Sequence, residues 1–125
     1  MNSKQTVLGV GGIFFKARDP RALAEWYREH LGVPIDSGAN YAPFAEAQSQ
    51  LIWSTLPADT KYFAPSDASF MINYRVADLD AMLAQLRAAG VPVDEKVEAS
   101  EFGRFGWAQD PERNRFELWQ PPAAT

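Results

Sequence analysis

The stretches IFFKARDPRALAEWYREHLGVPI (residues 13–35) and INYRVADLDAMLAQLRAAGVPV (residues 72–93) carry the same punctuation in the same order. Each opens on an apolar segment, meets an aspartate, continues as an amphipathic helical pattern and ends on Gly-Val-Pro. The aspartates, Asp19 and Asp78, lie 59 residues apart, and GVPI (32–35) and GVPV (90–93) lie 58 apart. A one-residue indel within the helix accounts for the difference. Parallelism at a fixed period marks an internal repeat.

Working outward, VLGVGGIFFK (7–16) reads as a strand with little side-chain cover at Gly11 and Gly12. Asp19 is a helix N-cap, with Pro20 at the first helical position. The helix presents Leu23, Trp26, Tyr27, His30 and Leu31 as one stripe, and Gly32 closes it. A strand is expected from Val33 to Ile35, with further short strands near 40–45 and 50–56. Residues 57–69, PADTKYFAPSDAS, are rich in turn formers and read as a connecting loop. FMINYRV (70–76) is the second half's first strand. Asp78 caps a helix whose stripe is Leu79, Met82, Leu83 and Leu86, and Gly90 ends it. Strands follow over Val91–Val97, 103–109 and 114–120, the last two joined by the turn DPER. Each half is thus predicted to be βαβββ: module one about 7–56, the loop 57–69, and module two about 70–120. One half alone leaves an open sheet with too little core, so the two are expected to pack together as one α+β domain.

The chain has 125 residues and a formal net charge of −4. Its length suits one domain. An acidic balance repels phosphate backbones, so nucleic acid is excluded as a natural partner, and a cationic or neutral ligand is mildly favoured. The absence of cysteine excludes disulfides, thiol catalysis and thiolate-bound metals. No apolar run reaches the roughly 18 residues of a membrane span, and the start lacks a signal-peptide pattern. A cytoplasmic protein with no membrane partner is the default expectation. Sixteen aromatic residues (four Trp, four Tyr, eight Phe) are enough to line a cavity as well as fill a core.

The two quoted stretches, together with GRFGWAQDPERNRFELWQP (103–121), resemble the glyoxalase/bleomycin-resistance/extradiol-dioxygenase superfamily, also called vicinal oxygen chelate proteins. The last stretch is the most specific part of the match, and 37–69 is the main part outside it. The resemblance implies that each module curls a mixed sheet around a concave face and that two modules make a U-shaped pocket. It also implies homodimers in many members, and in the enzymes one divalent metal that chelates adjacent substrate oxygens.

The resemblance places one metal-binding histidine seven residues before the helix-capping aspartate. In this chain that position is Gly12, and its equivalent in the second half is Met71. A third position falls near Leu51 to Trp53, which offers no ligand. Only the final-strand glutamate, Glu117, is retained, and a single carboxylate does not hold a divalent ion that needs about three ligands. No metal or other cofactor is therefore expected. His30, the only histidine, lies on a helix stripe facing away from the pocket and reads as a packed or half-exposed residue.

Residues two apart share a strand face. If Glu117 faces the pocket, so do Arg115 and Trp119. Phe14 joins them from the first strand, with Gly12 and Lys16, and Met71, Asn73 and Arg75 from the second module's first strand. Trp53 is placed there from module one. Arg104 stands between two glycines in EFGRFGW (101–107), which either let backbone approach a ligand or mark a strand bend. Tyr62 and Phe63 in the 57–69 loop fit either a lid or a dimer contact. Three roles stay open for Glu117: an ion pair with Arg75, Arg115 or Lys16, an acceptor for a cationic ligand, or a general base. The expected function is metal-independent binding of a small aromatic or cationic molecule. The alternative is an enzyme of the lyase, isomerase or dioxygenase type, with Glu117 as catalytic base or metal ligand.

Overall fold

The computed structural model describes residues 4–46 and 49–123. Strand β1 (Gly9–Ala17) leads into helix α1 (Pro20–Leu31), followed by β2 (Tyr41–Glu46) and β3 (Ser49–Pro57). The second half runs β4 (Phe70–Arg75), α2 (Leu79–Ala88), β5 (Glu98–Ser100), β6 (Gly103–Gln109) and β7 (Arg115–Gln120). All seven strands form one sheet in the order β2-β3-β1-β4-β7-β6-β5.

The repeat is visible in the pairing. The first strand of each half lies parallel to its last, β1 with β3 and β4 with β7. The two first strands pair antiparallel at the centre. This is the α+β architecture of two βαβββ-like modules curled into a mixed half-barrel.

Both helices start as their sequences dictate. Asp19 Oδ1 accepts from the Ala22 amide and Asp78 Oδ1 from the Ala81 amide, each at 3.0 Å. Pro20 occupies the first turn of α1, and Gly32 closes that helix at φ 69°, a left-handed conformation that favours glycine. Helix α2 buries Leu79, Met82 and Leu83 against Val76 and Leu118, with Leu86 partly buried beside them. Gly106 of β6 leaves room for this helix, since a Cβ there would meet both Leu83 methyl groups at 3.2 Å.

Helix α1 departs from the expected stripe. Ala24 is fully buried and Tyr27 packs on Phe15 and Trp53, whereas Trp26 and His30 are exposed and meet with their rings tilted by 43°. The small Ala24 lets the helix seat closely, which turns the bulkier Trp26 outward. The Leu31 side chain lies outside the described residues.

Two expected strands are corrected. Val33–Ile35 is not in the sheet: Pro34 has no N–H to give a ladder, and the segment instead buries Val33 and Ile35 beneath α1 with Ala24 and Ala42. Val91–Val97 is reduced to one bridge, Val93 to Ala108, flanked by hydrogen bonds from the Gln109 amide to the Pro92 oxygen and from the Asp94 amide to the Trp107 oxygen. Pairing resumes only at β5.

The packing predicts unequal helices. Leu83→Ala removes a buried side chain and is expected to cost about 2–5 kcal/mol. Trp26→Ala, on the exposed face of α1, should cost under about 1 kcal/mol. Urea unfolding of the two variants checks the contrast.

Candidate functional site

Register builds the site around Glu117. In β7, Glu117 stands beside Asn73 of β4 on one side and Trp107 of β6 on the other. All three side chains fall on the concave face, and each is at most 2% exposed. Asn73 Nδ2 donates to Glu117 Oε1 at 2.6 Å, and Trp107 Nε1 donates to Oε2 at 2.9 Å. The Tyr62 hydroxyl, from the loop after β3, also donates to Oε2. Three neutral donors thus hold the carboxylate, and no ion pair among the described residues includes it.

Electrostatics follow from that setting. Burial pushes the Glu117 carboxyl above the usual carboxylate range, while the bonds from Tyr62, Asn73 and Trp107 and the more distant Arg115 charge pull it back only in part. Burial, and then the neighbouring Glu117 charge, push the Tyr62 phenol up, so it stays protonated as a donor.

Glu117 lines a cavity of about 670 Å³ between the two halves. Phe14, Tyr41, Tyr62, Phe102, Phe105 and Trp119 supply aromatic walls, with Ile52, Leu56 and Pro43 between them. Phe105 and Trp119 lie parallel, with ring centroids 6.0 Å apart. Among the lining residues Glu117 is the only one that carries a charge. Gly11 lets the walls converge, because a Cβ there would stand 2.3 Å from Asn73 Oδ1 and 2.9 Å from the Trp119 ring.

The 57–69 loop straps the concave face. Phe63 is fully buried against Met71 and Trp107, and Lys16 sits 5.6 Å above its ring. Arg115 holds the strap by donating to the Ala64 oxygen at 2.7 Å, while its guanidinium lies 5.2 Å from the Trp107 ring centre and 6.0 Å from that of Tyr62.

The expected site residues divide accordingly. Phe14, Asn73, Glu117 and Trp119 line the cavity. Met71 lies on the same face but is sealed beneath Phe63. Arg75 donates to the Val10 oxygen at 2.6 Å and is not among the lining residues. Arg115 is turned to the strap and to Asp94, 3.5 Å away. Trp53 is corrected: it faces α1, packed on Tyr27 and Phe15, because Ile52 and Ser54 hold the concave positions of β3. Arg104 is corrected as well: it pairs with Asp80 of α2 at 2.8 Å, on the opposite face from Phe105 and Trp107. Alternation counted from Trp107 would have placed it there. The same count finds Phe105, whereas Tyr41 and Phe102 carry no local signal.

The residues present do not fit the family's metal. No group of three His, Cys, Asp or Glu side chains converges among the described residues. Gly12 and Met71 offer no ligand atoms suited to a divalent ion, and both Glu117 oxygens already accept donors.

The model of the Glyoxalase-like domain matches residues 12–119. This chain belongs to that family. The vicinal-oxygen-chelate resemblance read from the sequence therefore holds. Among solved structures, the glyoxalase-like chain is similar to methylmalonyl-CoA epimerase from Mycobacterium tuberculosis, at TM-score 0.68 and 23% identity over 98% of this chain and 94% of that one. It also resembles Streptomyces coelicolor methylmalonyl-CoA epimerase in complex with 2-nitronate-propionyl-CoA, at TM-score 0.73 and 18% identity over 94% and 100% of the two chains. A third is described as an NAD-dependent benzaldehyde dehydrogenase from Legionella pneumophila, at TM-score 0.62 and 17% identity over 89% and 98%. At these identities the likeness is one of fold. No curated protein matches the sequence significantly. No helix among the described residues is long and apolar enough to cross a membrane.

The raised Glu117 carboxyl sets a direction for stability against pH. A carboxyl whose folded value lies above its unfolded value of about 4.3 stabilises fully below that value, and the contribution is lost as pH rises through the folded value. The unfolding free energy should therefore fall as pH rises above the ordinary carboxylate range in the parent protein. The fall should be shallower in Glu117→Gln, as read by denaturant titrations at several pH values.

Proposed function

We propose that this glyoxalase-like protein binds a small organic cation with an aromatic or apolar body in the cavity between its halves, without a metal. One observation carries the reading: a single buried carboxylate, held only by neutral donors, is enclosed by six aromatic side chains. A carboxylate in that position attracts positive charge, and aromatic faces add about 0.5–2 kcal/mol each to a cation placed over them. The cavity suits a drug-sized molecule that buries most of its surface. Sequestration then needs only affinity and mass action.

A second reading makes Glu117 a general base. Its raised carboxyl and apolar surroundings favour this, and the fold is shared with proteins described as epimerases. Against it, both carboxylate oxygens already accept donors. Turnover of a carbon acid that stops in Glu117→Gln would establish the base.

A homodimer belongs to the same proposal. Ile13 and Phe70 are exposed on the two central strands, on the sheet face that α1 and α2 cover elsewhere. Sedimentation as a single species of twice the 13.9 kDa chain mass is the expected outcome.

The test compares phenyltrimethylammonium with its neutral isostere tert-butylbenzene. The cation should raise the melting temperature and bind about tenfold or more tighter, equivalent to about 1.4 kcal/mol. A chelator should leave its binding unchanged, and Glu117→Gln should erase the preference. Tighter binding of the neutral isostere would overturn the reading.

A further inference from the structure

Glu117 gives the cavity a negative charge without giving it a free acceptor. A carboxylate has two oxygens and about four lone-pair sites. Three are taken: one on Oε1 by Asn73 Nδ2, and two on Oε2 by Trp107 Nε1 and the Tyr62 hydroxyl. The residue is only 2% exposed, so packing closes the fourth. Asn73 Oδ1, the other acceptor beside it, is buried against the Gly11 backbone. The Trp107 N–H also bears on the Tyr62 oxygen. The remaining hydroxyls of the lining, on Ser54 and Tyr41, belong to β3 and β2, three and four strands along the sheet from β7.

This arrangement sorts cations by their N–H content. A primary ammonium brings three N–H donors, all hydrogen-bonded while it is in water. Beside Glu117 it keeps the attraction between opposite charges but finds no free acceptor, and each unmet donor costs free energy. A quaternary ammonium has no N–H to satisfy. Its attraction to the aromatic faces of Phe14, Phe105 and Trp119 is electrostatic and needs no hydrogen bond. Rejection by unmet donors is a stronger filter than a change in apolar contact.

We propose that the cavity selects fully N-substituted cations, quaternary ammonium or N-alkylated heteroaromatic, against cations that carry N–H, and that Tyr62 imposes the selection by covering Glu117 Oε2. The inference rests on the ligand reading above and narrows its class. Of the three donors to Glu117, Asn73 and Trp107 are each 2% exposed, whereas Tyr62 is 38% exposed. Tyr62 is also the one donor that comes from the strap and not from the sheet. It is therefore the group that stands between the open cavity and the carboxylate. Without its hydroxyl, a charged acceptor would face the ligand, and hydrogen bonds to charged groups are the strong ones.

Two pairs of probes test this by calorimetric titration of the full chain at neutral pH. Benzyltrimethylammonium and benzylammonium differ by three N-methyl groups. Neopentylbenzene and ethylbenzene are their neutral isosteres, and they measure what the same three methyl groups gain from burial alone. The affinity gain on methylation should be about tenfold or more greater in the cation pair than in the neutral pair. This comparison needs no variant. In Tyr62→Phe that excess should shrink by about tenfold, because benzylammonium acquires an acceptor, while the neutral pair keeps its ratio. The substitution removes one oxygen from a partly exposed residue and leaves Phe63, the buried anchor of the strap, in place. Cations that bind more tightly than their isosteres but show no excess gain on methylation would overturn the selection and leave the ligand reading standing. An excess unchanged in Tyr62→Phe would overturn the role of Tyr62. Cations that bind no more tightly than their isosteres would overturn the ligand reading and this inference with it.

Discussion

The antiparallel pairing of β1 with β4 is the constraint on which the rest of the structure depends. It joins two half-sheets, each too small to bury a core, into one curved sheet. It also decides what the concave face contains. Gly12 is registered with Asn73, and Asn73 with Glu117, so one row of neighbours crosses the seam from β1 to β7. A register slip of one residue would turn Asn73 and Glu117 to the opposite face and dismantle the site.

The glycines of β1 give that row its form. The family resemblance places a metal ligand where this chain has Gly12. With no side chain at Gly11, Asn73 and Trp119 close in on the β1 backbone, and the β-bulge between Val10 and Gly12 lies in the same stretch. At Gly12 itself a Cβ would meet the Ile52 carbonyl oxygen at 3.0 Å and the Phe14 ring at 3.1 Å. On the far side, the 57–69 strap brings Tyr62 to Glu117 and seals Met71 beneath Phe63.

Much of this was legible in the sequence because the repeat doubles each signal. Asp19 and Asp78 act as caps with the same geometry, and Gly32 ends α1 in the left-handed region as its position implied. Alternation from Glu117 placed Trp119 on the concave face and, across the sheet, Asn73 and Phe14. What failed was of two kinds. Pro34 and Pro92 sit in runs apolar enough to read as strands, but neither can donate to a ladder, and burial of Val33 and Ile35 was achieved outside the sheet. Trp53 is placed without its strand phase and Arg104 by the glycines beside it, whereas strand phase decides both. Tyr62 was seen as a loop aromatic, but its reach to Glu117 spans 55 positions and depends on how the strap folds. No local pattern encodes that.

Charge balance constrains any account of this cavity. The cavity lining holds one acid and no basic side chain. A buried carboxylate without compensation is expensive, and three sources could neutralise it: a cation of the chain, a bound cation or a proton. The chain's own cations are committed elsewhere. Arg115 clamps the strap through Ala64 and Asp94, and Lys16 lies over Phe63. The neutral donors Tyr62, Asn73 and Trp107 soften the cost but supply no net charge. What remains is a proton or a cation that comes from outside the chain. A carboxyl paired to an arginine would be silent to both. Leaving Glu117 without a cationic partner among the described residues is what leaves its charge to be balanced from outside the chain.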